Sequence, residues 1–208
     1  FAILNEYRPI RQAAGHNSPF ALRVLDSQNL FAAQAVTAVE AVRLRDAGVG
    51  VAQMREQLEQ LAGNVHGYMI TRDLYYMRAR ARHKGDRSVG LFTAALGSAL
   101  DIKPVLHGYR GETAPVAKIK GFDNAVQRLF DFVGQRVANG LLTPVVCMSY
   151  GGPLDELRAL PGYATLRETC QAHGVTLLET VMSLTGMVNV GKGAVTVGFA
   201  DQPHAFDS

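Results

Sequence analysis

Two cysteines in 208 residues are too few for a disulfide framework, and Cys147 and Cys170 lack the paired spacing of a zinc site. One falls in an apolar strand-like run and the other in a helical run, as expected of reduced thiols in the cytoplasm. No apolar run approaches the ~20 residues that span a bilayer. The longest, Gly90 to Leu100, is far shorter, and no cationic start leading into an apolar segment suggests a signal peptide. HExxH and other paired histidine spacings are missing. His16, His66, His83, His107, His173 and His204 read as residues of turns, termini or a charged loop, none beside a serine or cysteine nucleophile motif. Charge is sparse as well: 19% charged residues and a net +3 fall short of what indicates nucleic acid. These absences argue against a metal or other cofactor, nucleic acid, covalent catalysis and stable membrane insertion, and leave anionic ligands open.

What the chain does have is 48% hydrophobic residues, enough for one sizeable core or one core plus a fragment of another. Phe1, Ile3, Leu4, Tyr7 and Ile10 recur at helical spacing, so the chain is expected to begin inside an amphipathic helix and to be a fragment. Leu22–Leu25 reads as a short strand, Leu30–Asp46 and Val51–Leu61 as helices, and His66–Ile70 as a strand. Leu74–Arg82 and Val89–Leu100 read as helices separated by a cationic loop. Pro104–Leu106 and Val116–Ile119 form a hairpin turning at Arg110-Gly111. Phe122–Ala138 is helix, Pro144–Ser149 strand, Leu154–His173 a helix broken near Pro161-Gly162, Val175–Val181 strand and Ala194–Phe199 strand. The alternation predicts an α/β fold with a largely parallel sheet flanked by helices. The tail Asp201–Ser208 is expected to fray.

Three segments have the residues for ligand chemistry. Asn189-Val-Gly-Lys-Gly193 is not a nucleotide cradle, because a P-loop and a Rossmann turn both open a helix and Gly193 opens a β-branched strand. It is either a plain loop before a strand or a tight loop whose Gly191 and Gly193 let a ligand approach backbone amides, with Asn189 as a side-chain donor. Asp26-Ser27-Gln28-Asn29, between a strand and a long helix, either caps that helix or binds ligand at a strand's carboxyl end. Arg78, Arg80, Arg82, Lys84 and Arg87 form the dense basic segment, which is a solvated face or a dock for an acidic or phosphorylated partner.

Val24-Leu-Asp-Ser27, Asp73-Leu-Tyr-Tyr-Met77, "LGSALDIKPVL" (Leu96–Leu106) and Val190-Gly-Lys-Gly-Ala-Val195 resemble, in order, segments of the DegV family of bacterial fatty-acid-binding proteins. The resemblance implies a fold of two α/β domains with the fatty acid between them, the first domain incomplete in this chain. The expected division is 1–65 for its remainder and connecting helices, 66–200 for the second domain and 201–208 for the tail. It further implies a carrier, not an enzyme, that buries a long acyl chain and presents the carboxylate to a fatty acid kinase. Asn189 stands where the family's T-H-x-G-P-G motif has its histidine. Ser27, Gly191 and Gly193 are expected near the head group, and Leu96, Leu100 and Ile102 along the chain. The family's L-x-Y-L-x-x-G-G-R-I is replaced by "LYYMRARARHKGDRSVG", which alters the side on which arginines face a kinase. Burial of some fifteen carbons at ~0.8 kcal/mol each offers about 12 kcal/mol gross, against ~1–3 for a charged hydrogen bond at the head, so tail burial dominates. The competing reading is an enzyme acting on a small anionic or phosphorylated substrate at Asn189–Gly193.

Overall fold

The computed structural model describes residues 2–16, 23–83 and 101–206. The first half contains helices α1 (Ala2–Ala13), α2 (Ala32–Asp46) and α3 (Val51–Ala62), strand β1 (Val65–Ile70), helix α4 (Leu74–His83) and strands β2 (Ile102–Tyr109) and β3 (Glu112–Lys120). There follow α5 (Phe122–Asn139), β4 (Val145–Tyr150), α6 (Leu154–Arg158), α7 (Tyr163–Ala172), β5 (Thr176–Val181), α8 (Leu184–Val190) and β6 (Val195–Ala200). The predicted helix Val89–Leu100 lies outside the described residues. Residues 23–30 are not a strand, and Val24 is 86% exposed.

The strands form one sheet in the order β3-β2-β1-β6-β4-β5. The expected α/β layering is present, but the sheet is not largely parallel: β4 and β5 run parallel, whereas β1–β2, β1–β6, β2–β3 and β4–β6 are antiparallel. β6, the last strand, inserts between β1 and β4 and opposes both. Its residues and those of β4 are buried throughout because helices cover both faces. Continuous apolar runs of this kind report two-sided cover rather than strand direction. The hairpin is as expected: Tyr109 pairs with Glu112, and Arg110 and Gly111 have φ of 51° and 81°, the left-handed pair of a two-residue type I′ turn.

One face carries the larger core. Tyr68 and Ile70 of β1, Val146, Met148 and Tyr150 of β4 and Val195, Val197 and Phe199 of β6 point toward α5 and α7, where Leu129, Phe130, Val133 and Leu166 meet them. On the other face, α2 places Ala32, Ala33 and Val36 on Val65, Cys147 and Ala200. Alanines suffice there because Gly108, Gly67 and Gly198 are register neighbours across β2, β1 and β6. A Cβ on Gly198 would collide with the Ala33 backbone, and one on Gly67 with the Asn29 side chain. The three glycines form a channel in which the start of α2 sits against the sheet. The tail is not frayed over 201–206: Asp201 is 3% exposed and Phe206 packs on the larger core.

Candidate ligand-binding face

Beyond the seat of α2, the same face of the sheet is apolar and rich in methionine. Met77, Leu106, Met182, Val190 and Ala194 are buried together, with Phe31, Met69 and Met187 packed against them. Segment 27–31 is fixed to the sheet by Asn29, whose carboxamide donates to Val65 O at 2.9 Å and Gly108 O at 3.0 Å while accepting from Leu30 N. Phe31, with φ of 51°, turns its ring toward Gly186 of α8. Between this segment and the strands lies a cavity of about 30 Å³ lined by Phe31, Met69, Leu106, Thr113 and Thr196 among others. Ser149 and Thr196 lie on this face too, both buried, their hydroxyls 2.7 Å apart. Ser27 is nearby in sequence but its hydroxyl donates to Asn29 O at 3.3 Å.

The segment around Asn189 is not the loop read from the sequence. Leu184–Val190 is helical, opened by Ser183, whose side chain accepts from Gly186 N, and closed at Gly191 with φ of 87°. Asn189 therefore sits in a helical turn, and its side chain donates to Thr185 O at 2.8 Å. The carbonyls at the helix end are satisfied from outside: Thr71 Oγ1 donates to Val190 O at 2.8 Å and the Tyr76 hydroxyl to Val188 O at 2.7 Å. Gly191 N–H donates to Met187 O, and Gly193 N–H to Gly151 O at 2.9 Å. Both glycine amides are thus engaged within the protein, which corrects the reading of them as anion donors. The glycines are needed for close approach: side chains there would meet the Tyr76 ring at Gly191 and the Arg72 chain at Gly193.

Arg72, which sequence reasoning passed over, spreads across this end of the sheet with its guanidinium 4.0 Å from the Phe122 ring centroid. An open groove of about 410 Å³ beside it includes Lys103, Asp101 and Asp123. Lys103 Nζ is 2.7 Å from Arg72 O and 3.1 Å from Asp101, so the two cations face two carboxylates and the groove has no net preference for anions.

The remaining expected residues are dispersed. Ile102 opens β2, half-buried. Arg78, Arg80 and Arg82 lie within α4. Arg80 is half-buried, and its Nε has no hydrogen-bond partner among the described residues, so it is not a plain surface cation. Leu96, Leu100, Lys84 and Arg87 lie outside the described residues.

Burial pushes the Cys147 and Cys170 thiols up to about 11, far from the thiolate a nucleophile requires. His66 lies in β1, the strand read over His66–Ile70, and His107 in β2 rather than a turn; the His66 ring stacks with those of His107 and His204. The period-two pattern His66, Tyr68, Ile70 carried that signal in the sequence. Among the described residues no group of three or more His, Cys, Asp or Glu is arranged to hold a metal ion, and no helix is long and apolar enough to cross a membrane.

Comparison with known proteins supplies what this geometry lacks. The DegV family model, described as "Uncharacterised protein, DegV family", matches residues 5–202. A DegV domain-containing protein of Xanthomonas axonopodis pv. citri is 69% identical over all 208 residues, and the chain spans 66% of that relative's length. Among solved structures, DegV of Bacillus subtilis, described as a fatty acid binding protein, superposes with a TM-score of 0.63 at 20% identity, covering 86% of this chain and 60% of that one. A DegV family protein of Eubacterium eligens loaded with heptadecanoic acid gives 0.67 at 12% identity, covering 96% and 67%. At these identities the superpositions establish the shared fold.

Proposed function

The chain belongs to the DegV family, and on that premise we propose that the protein is a carrier, not an enzyme, that binds a long-chain fatty acid with its hydrocarbon against the methionine-rich face of the sheet. The observation that carries this reading is the cluster of Phe31, Met69, Leu106, Met182 and Met187 on an uncharged sheet surface. Methionine chains are unbranched and polarizable, so they repack around an inserted alkyl chain at low cost. The fatty acids of the Bacillus subtilis and Eubacterium eligens proteins point to the same ligand class.

The finer reading places the carboxylate near Asn189, at the end of α8, and hands it to a fatty acid kinase in the cytoplasm. A head group there competes with Thr185 O for the carboxamide donor, so this contact orients the ligand more than it holds it. The basic segment Arg78, Arg80, Arg82, Lys84 and Arg87 is proposed to dock the kinase, and residues 1–65 to belong with the first domain. No observation favours chemistry on a small anion at Gly191–Gly193, since both amides are engaged internally.

The test is mass spectrometry of the intact protein, purified without detergent and then denatured. About one long-chain fatty acid per protein molecule is expected; an empty protein that also fails to take up added fatty acid overturns the proposal.

A further inference from the structure

The segment after β6 crosses the α5 side of the sheet and covers a stack of rings. Asp201 N–H donates to Asn64 O at 3.0 Å, and Arg136 Nε of α5 donates to Asp201 Oδ2 at 2.6 Å. The His204 ring lies 4.1 Å from that of His66 in β1. Phe206 packs 4.6 Å from Phe132 of α5 and 5.8 Å from Tyr68 of β1. Beneath them, the ring planes of His66 and His107 of β2 are parallel to within 1°, with centroids 5.2 Å apart.

The carbonyl partners assign the ring protons, since a carbonyl only accepts. His66 Nε2 lies 3.3 Å from Asp201 O and must carry its proton there, leaving Nδ1 to accept from His107 Nε2 at 3.0 Å. His204 Nδ1 likewise donates to Gln202 O at 2.7 Å, leaving Nε2 to accept from the Tyr68 hydroxyl at 3.1 Å. His66 and His204 therefore each have one proton and one bare nitrogen in use, and His107 holds its proton on Nε2 toward His66. A second proton on His66 sets two N–H groups against each other at 3.0 Å, directly below the tail.

The groups facing the stack are few. β1 adds Tyr68, β2 adds Tyr109 with Arg110 5.0 Å from its ring, and β6 adds uncharged Phe199. The tail adds Asp201, 3.6 Å from His204, and α5 adds Arg136, which pairs with that carboxylate.

We propose that residues 201–206 form an acid-released latch, docked while His66 and His107 are neutral and lifted when the stack takes up a proton. Burial, reinforced by the neighbouring histidines, holds His66 down at about 3 and His107 at about 4. A histidine freed to water titrates near ~6.5. The lifted state therefore gathers protons below that value while the docked state does not. Docking is complete above pH ~6.5 and weakens as pH falls toward the docked-state values. One histidine returned to its ordinary pKa favours the lifted state about 30-fold at pH 5.0 relative to pH 7.5.

Amide hydrogen exchange in the intact protein tests this, with rates corrected for intrinsic pH dependence. The amides of Asp201 and Gln202, which donate to Asn64 O and Asp201 Oδ1, should lose about 30-fold protection or more between pH 7.5 and pH 5.0, while β4 amides keep theirs. The His66→Gln, His107→Gln double variant should abolish the difference. Should that variant fail to fold, nitrogen chemical shifts of the native rings decide, with His66 and His107 expected neutral and protonated on Nε2 at pH 7.5. Unchanged tail protection, simultaneous loss in β4, or the opposite tautomers overturn the latch. None of these readings depends on lipid content, so the latch and the fatty-acid proposal fail separately.

Discussion

At position 198 a single methyl group is enough to unseat α2, because the Ala33 backbone occupies the space where a Cβ would stand. Gly198→Ala should lower the stability of the intact protein by about 3 kcal/mol, the upper range for overpacking. A shift in the denaturation midpoint with unchanged slope would show it. Asn29 acts beside it as a bridge between β1 and β2, donating to one carbonyl of each. Asn189 is a weaker participant, already bonded along its own helix. Asn189→Leu should weaken fatty acid binding about tenfold, the value of one hydrogen bond to a charged head. The loss should shrink for the methyl ester, and an equal loss for acid and ester would show that Asn189 does not meet the head group.

Elements differ in how far their sequence declares them. The hairpin at Arg110-Gly111 and the break at Pro161-Gly162 were legible because each follows from local backbone chemistry: positive φ at 110, 111 and 162 makes these turns, with glycine at two of the three positions. Helix α3 was legible from apolar spacings of three and four, and α2 from its run of alanines and apolar residues ending at Gly48. Strand direction was not, since β4 and β6 are covered on both faces and an apolar run looks the same whichever way it points. Helix α8 was not read, its last residues being taken into the Asn189–Gly193 loop, because seven residues between Ser183 and Gly191 are too few to show a period. The methionine face escaped notice because its members come from β1, α4, β5–α8 and α8, distant in sequence and joined only by the sheet. Met187→Glu on α8 tests that face: a carboxylate placed on the proposed alkyl path should cut fatty acid affinity at least tenfold, about 1.4 kcal/mol or more. The helical signal in circular dichroism should be unchanged, and undiminished affinity would move the ligand elsewhere.

At the scale of the whole molecule, the sheet separates two tasks. Its α5 side is a close-packed aromatic and aliphatic core closed at one end by the tail and its histidines. Its other side is seated on alanines at one end and on methionines at the other, the softer surface being the one assigned to the ligand. The chain spans 66% of its Xanthomonas relative's length, and the proposed fatty acid binding is a property of the whole protein to which this apolar face would contribute. The most direct measurement of that division is photo-crosslinking of the intact protein with a long-chain fatty acid carrying a diazirine near its methyl end, followed by peptide mapping. Labelling is predicted on the peptides bearing Phe31, Met69, Met182 and Met187. Labelling confined to α1, or to the exposed sides of α3 and α7, would contradict the account.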